Sequence, residues 1–158
     1  MPCDTALVSH RYLFVSTWDL PVAPEAVYAT LRDIASYPRW WREIRRASRI
    51  DGESCALVCR SLLPYDLAFS VHQARVDERA LVLEAQLHGD LEGVSRWTLA
   101  GASGRCRARF EEDVVVHKAL LRALEPIARP ALRANHSLMM RSGERGLRDY
   151  LRATKRIT

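Results

Sequence analysis

One helical excursion after the first strand and one long helix at the end bracket a chain otherwise written as strands. The excursion is Val22-Ala23-Pro24-Glu25-Ala26-Val27-Tyr28, running into Asp33-Ile34-Ala35-Ser36-Tyr37-Pro38-Arg39-Trp40-Trp41. Pro24 suits a first helical turn, where its missing N–H is no loss, and Glu25 suits the positive end of the helix. Val27, Leu31 and Ile34 supply one apolar face. Tyr37-Pro38 biases the chain out of helix, and a further turn is expected from Arg39 to Glu43.

Before the excursion, the even positions from His10 read Tyr12, Phe14, Ser16, Trp18, Leu20 and Val22, a period-2 pattern that predicts a first strand. After it, Ile44 to His117 reads as consecutive strands. Turn signals fall at Asp51-Gly52, Pro64-Tyr65-Asp66, Asp77-Glu78-Arg79, Gly89-Asp90 and Gly101-Ala102-Ser103-Gly104. The run from Arg105 is clearest: Cys106, Ala108, Phe110, Glu112, Val114 and Val116 share one face, and charged residues fill most of the other. Leu81-Leu83-Ala85-Leu87, Leu91-Gly93-Ser95-Trp97-Leu99 and Leu67-Phe69-Val71 form similar stripes. About seven antiparallel strands follow in sequence order.

From about 119 to 156 the pattern is helical, with an interruption or bend expected at Pro126 and Pro130. Arg133, Arg141, Arg145, Arg148, Arg152 and Lys155 gather on one side of the wheel. Leu132, Asn135, His136, Met139, Gly143, Gly146, Leu147 and Tyr150 gather on the other, which must face the sheet. Glycine at 143 and 146 costs about 1 kcal/mol each in helix propensity, so each is expected to admit a close neighbour, a strand or a ligand. The expected class is α+β: a seven-stranded antiparallel sheet curved around a long C-terminal helix, with two short helices after strand 1.

A chain of 158 residues without repeat or linker is expected to form one domain over 1–158. No run approaches the ~18 apolar residues of a membrane span, and Met1-Pro2-Cys3-Asp4-Thr5 does not open a secretory signal, so the cytoplasm is expected. Cys55 and Cys59 would share a strand face about 13 Å apart, too far for a bond. With Cys3 and Cys106 they read as free thiols, and no spacing fits a metal site. Glycine loops for phosphate and a nucleophile elbow around Ser16, Ser61 or Ser95 are absent, so no cofactor and no metal are expected. The net charge of +5 is almost wholly arginine, with lysine only at 118 and 155.

The order of elements, with APEAVYATLRDIASYPRWW after the first strand, resembles the START-like helix-grip superfamily (SRPBCC). Within it the chain is most similar to bacterial polyketide cyclase/dehydrase-like and lipid-transport proteins. The segments Ser61 to Leu67, Ser95-Arg96-Trp97-Thr98 and Asn135 to Leu147 resemble an actinobacterial-type branch. The resemblance covers about residues 10 to 152. It implies a large internal cavity and a small hydrophobic partner, with no specific nucleic acid and no transmembrane segment; oligomeric state is left open.

In such a cavity Glu112 has two readings. It lines the hollow, anchoring a ligand hydroxyl or acting as acid/base, or it meets Arg60 or Arg96 near the rim, or a bulge reverses its parity. Asn135 and His136 either present donor, acceptor and imidazole to a carbonyl-bearing ligand or are satisfied by neighbouring backbone. These three are the candidate catalytic residues. Trp18, Trp41, Phe69, Trp97, Met139 and Met140 form an aromatic and thioether lining or a filled core. Tyr65 is expected at a cavity mouth. Three functions follow: a binder of a lipid, polyketide-like or aromatic molecule; a polyketide cyclase, aromatase or dehydratase using His136, Asn135 and Glu112; or a module engaging RNA, ribosome or membrane surface through the basic helix. No catalytic motif decides whether the chain is an enzyme.

Overall fold

The structure, a computed structural model, describes residues 11–60, 62–117 and 128–157. Strand β1 (Arg11–Leu20) is followed by helix α1 (Pro24–Arg32) and a 3-10 helix (Ile34–Arg39). Six strands follow: β2 (Ile44–Arg49), β3 (Ser54–Cys59), β4 (Leu67–Asp77), β5 (Val82–Gly89), β6 (Leu91–Ala102) and β7 (Arg105–Val116). Helix α2 (Ala128–Lys155) closes the described chain. The seven strands form one antiparallel sheet in the order β1-β7-β6-β5-β4-β3-β2. The long way round from β1 to β2 is the helical excursion, so the two edges belong to consecutive strands.

Parity along the strands builds the core. In β7, Cys106, Ala108, Phe110, Val114 and Val116 are buried. The register sets Trp97 opposite Phe110 and Trp18 opposite Ala108, on the same inner face. The outer face carries ion pairs such as Arg11 with Asp113 and Arg107 with Asp19. Register shifts between Ile44 and Arg46 and between Gln73 and Arg75 insert extra residues, which bend strands. Leu81, expected in the β5 stripe, has φ 55° and belongs to the preceding turn.

Helix α1 starts without a side-chain cap and with Pro24 in its first turn, and buries Val27, Tyr28 and Leu31. The second short helix lies earlier than expected. Tyr37-Pro38 sits inside the 3-10 helix over 34–39, because a turn this short sacrifices little at Pro38, and Trp40 and Trp41 both donate to the Tyr37 carbonyl. Pro130 lies within α2 as described and does not interrupt it. Pro126, the helical reading over 119–127, Lys118, Cys3, His10 and Ser61 lie outside the described residues.

The inner face of α2 is the one its wheel indicates, with Leu132, Met140, Leu147 and Leu151 buried. Gly143 admits the rings of Trp41 and of Trp18 from strand β1, and Gly146 admits the Trp40 backbone. A Cβ at Gly143 would lie 2.6 Å from the Trp41 ring and 3.0 Å from Trp18, and one at Gly146 would lie 1.7 Å from the Trp40 carbonyl oxygen. The helix thus meets Trp40 backbone to backbone at Gly146 and rests on tryptophan rings at Gly143. Arg148, expected on the wet face, is half-buried and bonds the Asp19 carbonyl and Glu144.

Candidate functional site

Between the inner sheet face and α2 lies an apolar cavity of about 170 Å³. That is more than ten times the space one water needs. Strands β3 to β7 supply Leu57, Val71, Leu87, Trp97 and Phe110 as walls; α2 supplies Leu132, Met139 and Met140; Ile34, Tyr37 and Trp41 close the end near the short helices.

Polar groups interrupt this wall at few places, and most are already engaged. The Tyr37 hydroxyl donates to the Leu31 carbonyl at 2.6 Å, and its burial pushes its pKa above the usual phenol range. The Gln73 amide donates to the Arg32 carbonyl, and Glu84 pairs with Arg96 at 2.8 Å. Cys59 lines the cavity with its thiol pushed up to about 12, by burial first and then by Glu112 and Glu43. At neutral pH it is a protonated, unreactive wall atom.

The exception is a cluster on facing elements. His136 Nε2 lies 3.1 Å from Glu112 Oε2, with side chains 16% and 10% exposed. The imidazole stacks on Phe14 at 3.9 Å between ring centres, 8° from parallel, which fixes its plane. Ser95 stands directly across from Glu112 in the β6–β7 register and also lines the cavity. Glu112 Oε1, His136 Nδ1 and Ser95 Oγ make no further hydrogen bond among the described residues. An imidazole held by a carboxylate, with a hydroxyl beside it in a largely apolar enclosure, can polarise a carbonyl and take or return a proton.

Of the residues singled out in the sequence, Trp41, Phe69, Trp97, Glu112, Asn135, His136, Met139 and Met140 line the cavity. Trp18 does not: it is 1% exposed, covered by Trp40, Trp41 and Trp97, because the 3-10 helix folds over that end of β1. Tyr65 does not line it either; it is half-buried against the edge of the core. Glu112 meets neither Arg60 nor Arg96, which face outward to Asp66 and Glu84. Asn135 is engaged: its Oδ1 accepts the Leu62 N–H at 3.0 Å, tying the β3–β4 loop to α2. Trp41 Nε1 likewise donates to the Met139 carbonyl.

The sequence reading passed over Glu43 and undervalued Ser95. Glu43 is 6% exposed, with Oε2 lacking a hydrogen-bond partner and Arg42 only 3.7 Å from Oε1. Its neighbours Trp41 and Ile44 were the signal that an acid there would be drawn inward. Among the described residues no group of three or more His, Cys, Asp or Glu is placed to hold a metal ion.

Residues 13–152 match the family model described as polyketide cyclase / dehydrase and lipid transport. The chain belongs to that family. No protein with a curated description matches its sequence. Among solved structures, an aromatase/cyclase, Zhui, from a Streptomyces species aligns at TM-score 0.76 with 13% identity, covering 94% of this chain and 97% of that one. A START superfamily protein from Mycobacterium smegmatis aligns at TM-score 0.71 with 15% identity, over 90% and 98%. One half of the di-domain ARO/CYC BexL aligns at TM-score 0.68 with 14% identity, over 89% of this chain and 50% of that one. At these identities the structures establish the shared helix-grip fold. No described helix is long and apolar enough to cross a membrane.

Proposed function

We propose that this protein binds a small apolar molecule inside the sheet–helix cavity, with an oxygen-bearing group of that molecule held against Ser95, Glu112 and His136. The carrying observation is the segregation of the wall: a continuous apolar lining, and unspent hydrogen-bonding capacity gathered at one place. Apolar enclosure supplies affinity, and a few fixed polar groups set orientation. The family description supports ligand binding or polyketide cyclisation as the coarse role.

Native mass spectrometry of the protein purified gently from its own host tests this. The expected spectrum carries a co-purifying apolar ligand. A clean apo mass, with no thermal shift across a panel of fatty acids, quinones and polyphenols, contradicts the proposal.

A second reading, turnover of a keto-bearing, polyketide-like substrate, is favoured by the His136–Glu112 contact. Neutral His136 would take an α-proton while Glu112 holds the resulting imidazolium, and Ser95 would donate to the carbonyl oxygen. Wild type should then exchange the α-protons of a β-diketone with deuterated solvent faster than protein-free buffer does, and His136→Leu no faster than buffer. Equal exchange by both proteins rules this reading out while leaving simple binding intact. The RNA reading rests on the arginine face of α2, and it has less support because no aromatic side chain on that face is interleaved with Arg133, Arg141, Arg145, Arg148 and Arg152 to stack a base.

A further inference from the structure

We propose that the seam between α2 and residues 39–49, beside the Asn135 and Met139 part of the cavity wall, is a docking surface for an anionic lipid bilayer. The choice of a bilayer rests on the apolar-ligand reading above. Residues 39–49 carry five arginines against one glutamate, and residues 129–156 carry eight cations against two carboxylates. The chain as a whole is +5, so everything outside these two segments sums to −5. The two segments are packed on each other through the Trp41 bond to the Met139 carbonyl and the approach of Gly146 to Trp40. The two packed segments thus carry a net +10 between them, against a net −5 for the remainder of the chain.

Few of these cations are spent locally. Arg39, Arg45, Arg46, Arg141 and Arg145 make no ion pair among the described residues, and the Arg42 side chain is 84% exposed. Two large apolar side chains stand among them. Leu62 is 73% exposed and Leu138 44% exposed. Leu62 N–H bonds Asn135, and Leu138 lies one helical turn further along, while Asn135 and Met139 line the cavity. Exposed leucines within a field of arginines form the pattern that sits at a charged lipid interface, with cations at the headgroups and apolar tips below them. An apolar guest is most concentrated in a bilayer, so docking here would bring the cavity wall beside the guest's source. A nucleic acid would use the charge but not the leucines, and it would find no exposed ring to stack on in residues 39–49.

The test is flotation of the full chain with phosphatidylcholine vesicles, with and without 30% phosphatidylglycerol. Binding is expected only to the anionic vesicles, falling steeply at high salt. Arg42→Gln, Arg141→Gln and Arg145→Gln should each weaken it on the order of fivefold. Leu62→Ser with Leu138→Ser should weaken vesicle binding but leave heparin retention unchanged, with circular dichroism confirming that every variant folds. Equal binding to both vesicle types, no vesicle binding, or a preference for single-stranded RNA over anionic vesicles overturns the proposal. Uptake of an apolar fluorophore in vesicle-free buffer, measured on the same samples, separates the two ideas. A filled cavity without vesicle binding refutes docking alone, and vesicle binding with no uptake refutes the cavity reading.

Discussion

Substituting Gly146 by alanine puts helix propensity and packing in direct opposition. Propensity alone favours alanine by about 1 kcal/mol in a helix interior. The new methyl would sit 1.7 Å from the Trp40 carbonyl oxygen and 2.9 Å from its carbonyl carbon. Neither atom belongs to a side chain that can swing away, so helix and loop must part by roughly 1.5–2 Å to reach ordinary contact. Overpacking of this kind costs about 1–3 kcal/mol. Parting the two also strains the 3.0 Å bond from Trp41 Nε1 to the Met139 carbonyl. Losing that bond would add about 1–3 kcal/mol for a half-buried donor left unsatisfied. Packing wins: a net loss of about 2–4 kcal/mol is expected, or a fall in Tm of roughly 5–15 °C for a domain of this size. Urea titration followed by far-ultraviolet circular dichroism, repeated by calorimetry, measures it. Ala134→Gly on the exposed side of the same helix calibrates propensity and should cost only about 1 kcal/mol. A Gly146→Ala protein as stable as wild type, or more so, would refute the backbone-to-backbone seating of α2.

Other expectations follow from the same geometry. His136→Leu leaves the Glu112 carboxylate without its neighbour and should destabilise by about 1–3 kcal/mol. Glu112→Leu added to it should recover part of that loss, and a double-mutant cycle showing no coupling contradicts the pairing. With Cys59 pushed up to about 12, its thiolate fraction at pH 8 is about 10⁻⁴, so iodoacetamide should modify it slowly in the native protein and rapidly in urea. Rapid native labelling mapped to Cys59 by peptide mass would contradict its burial. Asn135→Ala removes the acceptor of the Leu62 N–H, so hydrogen exchange at that amide should quicken by about tenfold while β3 stays protected. Unchanged exchange would show that the loop is held by something else.

Much of the fold was legible because strand parity is a strict code. Counting in twos from Phe110 turns Glu112 inward with Val114, and the structure has it so. The helical wheel likewise identified the face of α2 that carries Leu132 and Leu147. The limit of the code appears at Leu81, where a turn with positive φ breaks a stripe that looked continuous. Long-range pairing was not legible. His136 and Glu112 lie 24 residues apart on different elements, and nothing local states that helix position 136 falls over that part of β7. Trp18 shows the same limit differently. Its inward parity was readable, but whether it lined a hollow or was covered depended on where residues 40–41 fold back. Gly143 and Gly146 announced a close approach without saying to what, because an absent side chain carries no information about its neighbour.

The central claim is that sheet and helix enclose an apolar space a guest can enter, and xenon measures it directly. In crystals pressurised with xenon, anomalous scattering should locate the gas between Leu87, Trp97, Phe110 and Met140, since dry apolar cavities take up xenon. Xenon found only at the molecular surface, with those side chains closed on one another, would contradict the account.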